Sequence, residues 1–161
     1  MKTIKKLTEK IASIALAVSS ISILAALIVV TLDVTFRYIF QTPISGAMEI
    51  ISFYCMIPII FLPLLKLELE DGHIVTDLFF GKFTFRVQSI LWLIRCLIGI
   101  IIFGFLAWFT FEQAVRSTSR GEIAMGISQL PIWPARWILP ISFFLAALGA
   151  ALSMINHIKG K

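Results

Sequence analysis

Four long apolar runs decide what this chain can fold into: Ile11 to Leu32, Ile50 to Leu65, Val87 to Phe111 and Trp137 to Ile155. Crossing about 30 Å of hydrocarbon as a helix takes about 20 apolar residues, and each run with its flanks meets that requirement. The expected architecture is therefore all-α and membrane-integral. A single membrane domain covers residues 1–161, with four transmembrane helices at about 11–34, 47–67, 87–111 and 135–156. The composition leaves little else to build: 59% of the residues are hydrophobic and 14% charged, where a soluble domain carries about a quarter charged. Lys2, Lys5, Lys6 and Lys10 precede the first run as they would in a secretory signal. A signal's apolar region is about 7 to 15 residues, however, and this one is longer, so it reads as an uncleaved first span.

The formal net charge of +5 does not point to nucleic acid, because of where the charge lies. With four spans, Lys2, Lys5, Lys6, Lys10, Lys66, Lys82, Arg86, Lys159 and Lys161 fall on one side. Arg37, Arg116, Arg120 and Arg136 fall on the other. Basic residues accumulate on the cytoplasmic face of a membrane protein, which predicts an N-in/C-in topology. Trp108, Trp133 and Trp137 then mark the outer interface and Trp92 the inner one, as an aromatic belt would.

The polar residues at the span ends carry the remaining information. In LDVTFRYIFQTPISGAME, Asp33 and Arg37 stand four apart on one helix face, acid before base, the favourable order for an ion pair. Tyr38 and Phe40 follow as interface aromatics, Pro43 stops the helix and Glu49 opens the second run. Glu112 and Arg116 repeat the acid-then-base spacing at the same outer edge, followed by Arg120. A membrane edge decorated in this way suggests a docking surface, with Asp33, Arg37, Glu49, Glu112, Arg116 and Arg120 as its candidate residues. Arg95 is the one charge well inside a run; it either snorkels to lipid headgroups or meets a carboxylate of another subunit.

Within the spans, small residues recur four apart at Ala15 and Ser19, at Ser22 and Ala26, and at Gly149 and Ser153. Such pairs let helices approach closely in lipid, although alanine and serine are common in spans regardless. Pro58 and Pro63 should bend span two unless neighbouring groups satisfy the carbonyls they free. Cys55 and Cys96 lie inside apolar runs and read as packing residues. Between spans two and three, Glu68, Glu70, Asp71, His73 and Asp77 form a solvated acidic loop; one histidine among scattered carboxylates predicts no metal. From His73 to Phe85, apolar residues alternate with polar ones as in a short amphipathic segment lying at the cytoplasmic interface.

No phosphate loop, zinc motif or nucleophile elbow is present, so no enzyme and no cofactor is expected. Neither histidine lies at membrane depth, which disfavours a haem-bearing respiratory anchor. The acidic residues all sit at or beyond the span ends, leaving no intramembrane proton relay. A self-contained homo-oligomeric small exporter stays open as an alternative, with Arg95 as its one intramembrane titratable group.

Taken in order, LDVTFRYIF with a following proline and AMEI, the loop DGHIVTD, and ISQLPIWP before the last span resemble the small, Q-type membrane subunit of tripartite ATP-independent periplasmic (TRAP) transporters, the DctQ-like small permease family. The resemblance covers nearly the whole chain. It implies a bacterial inner-membrane subunit working with a large multi-span permease subunit (M type), which carries the sodium and substrate sites. It also implies a periplasmic substrate-binding protein that delivers an organic acid such as a C4-dicarboxylate, a keto or sugar acid, or sialic acid. The small subunit would serve as a fixed scaffold against which the large subunit's transport domain moves as an elevator. Asp33, Arg37, Glu49, His73 and Asp77 are the matching motif positions, while Val75 and Thr76 depart from the family pattern of a basic residue and a valine.

Overall fold

The computed structural model describes residues 2–69, 85–126 and 128–159. Four helices long and apolar enough to cross a membrane are present: Lys6–Phe40, Ala47–Leu69, Val87–Arg120 and Trp133–Ile155. The first is one continuous helix, α1 (Lys2–Phe40), and the third is another, α5 (Phe85–Arg120). Span two is composite, with α2 (Ala47–Glu49), a π-helical turn (Ile50–Cys55), α3 (Met56–Phe61) and α4 (Leu64–Leu69) in succession. Span four joins a short α6 (Trp133–Arg136) to α7 (Ile138–Lys159).

The spans stand in a row. α1 packs on span two, span two packs through α3 and α4 on α7, and α7 packs most extensively on α5. α7 is therefore an inner member, with 39% of its span buried against 6% for α5 and 11% for α1. Ile21, Leu27, Ile101 and Phe105 are all more than half exposed. A soluble protein could not leave apolar surface of that extent in water. Lipid or a partner must cover both flat sides of the row.

Small residues make the row possible, because association in lipid depends on close packing rather than on an apolar driving force. Ala12, Ala15 and Ser19 are buried on α1. On α7, Gly149 lies so near α4 that a Cβ there would come within 3.1 Å of Glu68 Cβ and 3.2 Å of Leu65 Cδ1. Ser153 Oγ donates to the Glu68 carbonyl at 3.0 Å across the same seam. The buried residues of α5 facing this system are likewise small: Ser89, Cys96, Ala114 and Ser117.

The two prolines of span two act differently. Upstream of Pro58 the helix widens into the π-helical turn, whose exit is marked by Met56 N–H bonding Ile51 O, five residues back. That wider turn makes room for a proline ring that would clash with the carbonyl four residues earlier. Pro63 interrupts the helix between α3 and α4 and withholds the N–H that would have bonded Ile59 O. Ser19 on α1 supplies the missing donor, its Oγ lying 3.3 Å from Ile59 O. Ser19→Ala should therefore cost about 1 kcal/mol of stability, the ordinary worth of one such bond. In a Pro63→Ala background, where a backbone N–H is restored, the same change should cost close to nothing. A double-mutant cycle read by thermal unfolding in detergent measures this coupling, and additive effects would refute it.

Candidate partner-docking rim

Two of the helices are longer than the hydrocarbon is thick. α1 has 39 residues and α5 has 36, lengths of about 58 and 54 Å against about 30 Å of hydrocarbon. Their C-terminal ends, with the loops of residues 41–46, 121–126 and 128–132, form a rim at one end of the row.

On the α1 side, Asp33 organises the turn. It is buried, its Oδ2 accepts from Arg37 Nη2 at 2.7 Å, and its Oδ1 accepts the backbone N–H of Ile44 at 2.9 Å. The helix ends at Phe40, and Gln41 takes a left-handed conformation (φ 59°) that reverses the chain before Pro43. Asp33 thus faces inward and holds the return loop to its own helix, while the Arg37 side chain is 57% exposed. Tyr38 and Phe40 point outward, and Phe40 stacks at a tilt on Phe36 with ring centres 5.1 Å apart.

On the α5 side, Gly121 (φ 59°) ends the helix: its N–H bonds Thr118 O at 3.2 Å and Glu122 N–H bonds Ser117 O at 3.0 Å. That double bond is the glycine-terminated closure that satisfies a helix's last carbonyls. The chain then folds back on itself through Ala124 N–H to Leu130 O (2.7 Å) and Ile132 N–H to Glu122 O (2.9 Å). Two side chains pin this hairpin to the bundle: Tyr54 of span two donates to Pro131 O, and Arg136 Nη2 pairs with Glu122 Oε1 at 2.6 Å. Trp137 Nε1 donates to Thr118 Oγ1 at 3.0 Å and ties span four to the end of α5. Glu112 and Arg116 pair at 3.0 Å with both side chains about half exposed, and Arg120 is exposed in the last turn of α5.

Glu49 occupies a cradle between the two loops. A Cβ at Gly126 would overlap its Oε1, and a Cβ at Gly46 would lie 3.5 Å from its Oε2 and 2.8 Å from Ser128 Oγ. The two glycines, lacking side chains, are what allow the carboxylate to lodge there.

The structure thus gathers Asp33, Arg37, Glu49, Glu112, Arg116 and Arg120 at one end and sets Arg95 apart. Arg95 lies in the other half of α5, half-buried, with its guanidinium carbon 5.6 Å from the Trp92 ring centre and Nη2 3.9 Å from Cys96 Sγ. His73 and Asp77, with the amphipathic segment expected around them, lie outside the described residues. Sequence reasoning missed the roles of Tyr54, Glu122, Arg136 and the Gly46–Gly126–Ser128 cradle. No local spacing could signal them, since Glu122 and Arg136 are fourteen residues apart and Tyr54 and Pro131 seventy-seven.

Between α5 and α7 lies an open apolar groove of about 610 Å³, walled by Gly104, Trp108, Phe111, Trp137, Ile141 and Phe144. Residues 26–160 match the family described as tripartite ATP-independent periplasmic transporters, DctQ component. The chain belongs to the DctQ family. No individually curated protein adds to that match. This DctQ chain is accordingly a transporter component and not an enzyme, the small permease subunit of a three-part system that also has a large permease and a binding protein. The matched region takes in every rim residue and all of spans two to four.

Proposed function

We propose that this DctQ chain is the stationary small subunit of a sodium-coupled importer for an organic acid such as a C4-dicarboxylate or sialic acid. It would sit in the bacterial cytoplasmic membrane with both termini in the cytoplasm. The observation that carries this reading is the row of spans. Among the described residues each span packs chiefly on its neighbours in the row, which favours a chain that widens a membrane scaffold and leaves sodium and substrate to the large subunit. The basic residues divide as the positive-inside rule requires for this orientation, which turns the charged rim toward the periplasm. There Arg37, Arg116 and Arg120, all exposed, would meet the large subunit or the docked binding protein. Asp33 serves this surface by positioning Arg37 and the return loop. A homo-oligomeric exporter would instead need titratable groups lining a central path.

Reversing Arg37 or Arg116 to glutamate should lower uptake to about a tenth in cells carrying all three components, since like charges brought together across an interface cost several kcal/mol. The amount of subunit in the membrane should stay unchanged. Full uptake by both variants would remove these arginines from the docking surface.

A further inference from the structure

Among the described residues, four carboxylates stand on the rim: Asp33, Glu49, Glu112 and Glu122. Three have an arginine of their own, at 2.7 Å for Asp33, 3.0 Å for Glu112 and 2.6 Å for Glu122. Glu49 has none. Its Oε2 is buried without a hydrogen-bond partner, and so is the neighbouring Ser128 Oγ. Two unsatisfied oxygens therefore share one small cradle between Gly46 and Gly126. A carboxylate withdrawn from water without a counter-charge is costly enough that native structures supply one. Beside it stands Ser128, whose hydroxyl can donate one hydrogen bond but carries no charge, and no ion pair to Glu49 occurs among the described residues. What is missing is a positive charge, which the described residues do not supply.

We propose that Glu49 receives one basic side chain, lysine or arginine, of the large permease subunit. This inference rests on the reading of the chain as that subunit's partner. An ammonium or guanidinium group carries several donors and can bridge Glu49 Oε2 and Ser128 Oγ together. A bare metal ion fits less well, because hard cations gather six or more oxygens, and the cradle is flanked by apolar side chains. Met48, next to Glu49, is 70% exposed, and Met125, next to Gly126, is fully exposed at the hairpin tip. Methionine side chains adapt to the surface they meet. A half-buried carboxylate with exposed, adaptable methionines next to it and to its cradle in sequence has the make-up of an interface contact.

The test uses the assembled transporter in mild detergent, with the affinity tag on this chain. Glu49→Gln keeps the shape and removes the charge. It should lower the large subunit recovered after a salt wash by at least about tenfold, as expected when one member of a desolvated charge pair is lost. Gly126→Ala keeps the charge but expels the carboxylate from its cradle, and should reproduce the loss. A photoreactive amino acid at Met48 should form an adduct with the large subunit in the otherwise unaltered complex. Recovery of the large subunit by Glu49→Gln at the unaltered level would overturn the proposal, as would adducts formed only with lipid or only with the binding protein. A sodium-dependent rise in the melting temperature of the isolated chain, abolished by Glu49→Gln, would assign the cradle to an ion and also overturn it. If the unaltered chain retains no large membrane protein at all, the subunit reading itself fails, a result distinct from selective loss or retention in the variants.

Discussion

Gly149→Leu should be among the most damaging single substitutions in the membrane-embedded part of the chain, costing about 3 kcal/mol as overpacking at a close backbone approach does. The first added carbon would already lie 3.1 Å from Glu68 Cβ, 3.2 Å from Leu65 Cδ1 and 3.4 Å from the Leu65 carbonyl. The remaining carbons have nowhere to go unless α4 and α7 separate. Separation also breaks the Ser153 Oγ bond to Glu68 O, which leaves a carbonyl unsatisfied in a low-dielectric seam. Because α7 joins span two to α5, the whole row depends on this contact. Thermal unfolding of the isolated chain in detergent measures the effect. Gly104→Leu is the matched control, since a Cβ there meets nothing within 4 Å. It should stay within about 0.5 kcal/mol of the unaltered chain, as substitutions away from packed features do. Equal melting of the two variants would remove Gly149 as a close-approach residue.

Asp33→Ala should free the loop of residues 41–46 without unfolding the spans. One buried carboxylate holds both the Ile44 N–H at 2.9 Å and the Arg37 guanidinium at 2.7 Å. Its removal leaves the amide with no acceptor, and exchange of the Ile44 amide hydrogen should speed up by on the order of tenfold, as local opening becomes easier. Arg37→Ala should change that rate little, because the Ile44 bond survives and the arginine head is already in contact with solvent. The contrast separates two roles for adjacent rim residues, an inward one that shapes the loop and an outward one that meets a partner. Equal rates in both variants would show that the loop is held by something else. Mass-resolved hydrogen exchange on the purified chain reads both.

Several features of this arrangement were legible in the residues themselves. The Asp33–Arg37 and Glu112–Arg116 pairs were, because four-residue spacing on a helix brings side chains together whatever surrounds them. Ala15 with Ser19, and Gly149 with Ser153, also marked faces that the structure buries or brings into contact. The two prolines promised a disturbed span two, and it widens into a π-helical turn ahead of Pro58 and is interrupted at Pro63. What could not be read was which helix answers each feature. Nothing at Pro63 names Ser19, forty residues from Ile59, as the donor that replaces its missing N–H. Nothing at Glu49 names Gly126 or Ser128.

Sequence alone determined that four helices cross a membrane, since apolar runs of this length satisfy their backbones within each helix and have no stable place in water. It also determined the local ion pairs and, through the order of its polar motifs, the DctQ family. The order of the spans in their row was decided only by tertiary structure. Helices apolar on every side carry no amphipathic stripe to choose a neighbour, so the choice falls to small-residue fit at Ser19, Gly149 and Ala150. Tertiary structure likewise decided that Asp33 turns inward and that Glu49 alone among the rim carboxylates lacks an arginine, because those outcomes depend on loops meeting across distances that no helical spacing encodes.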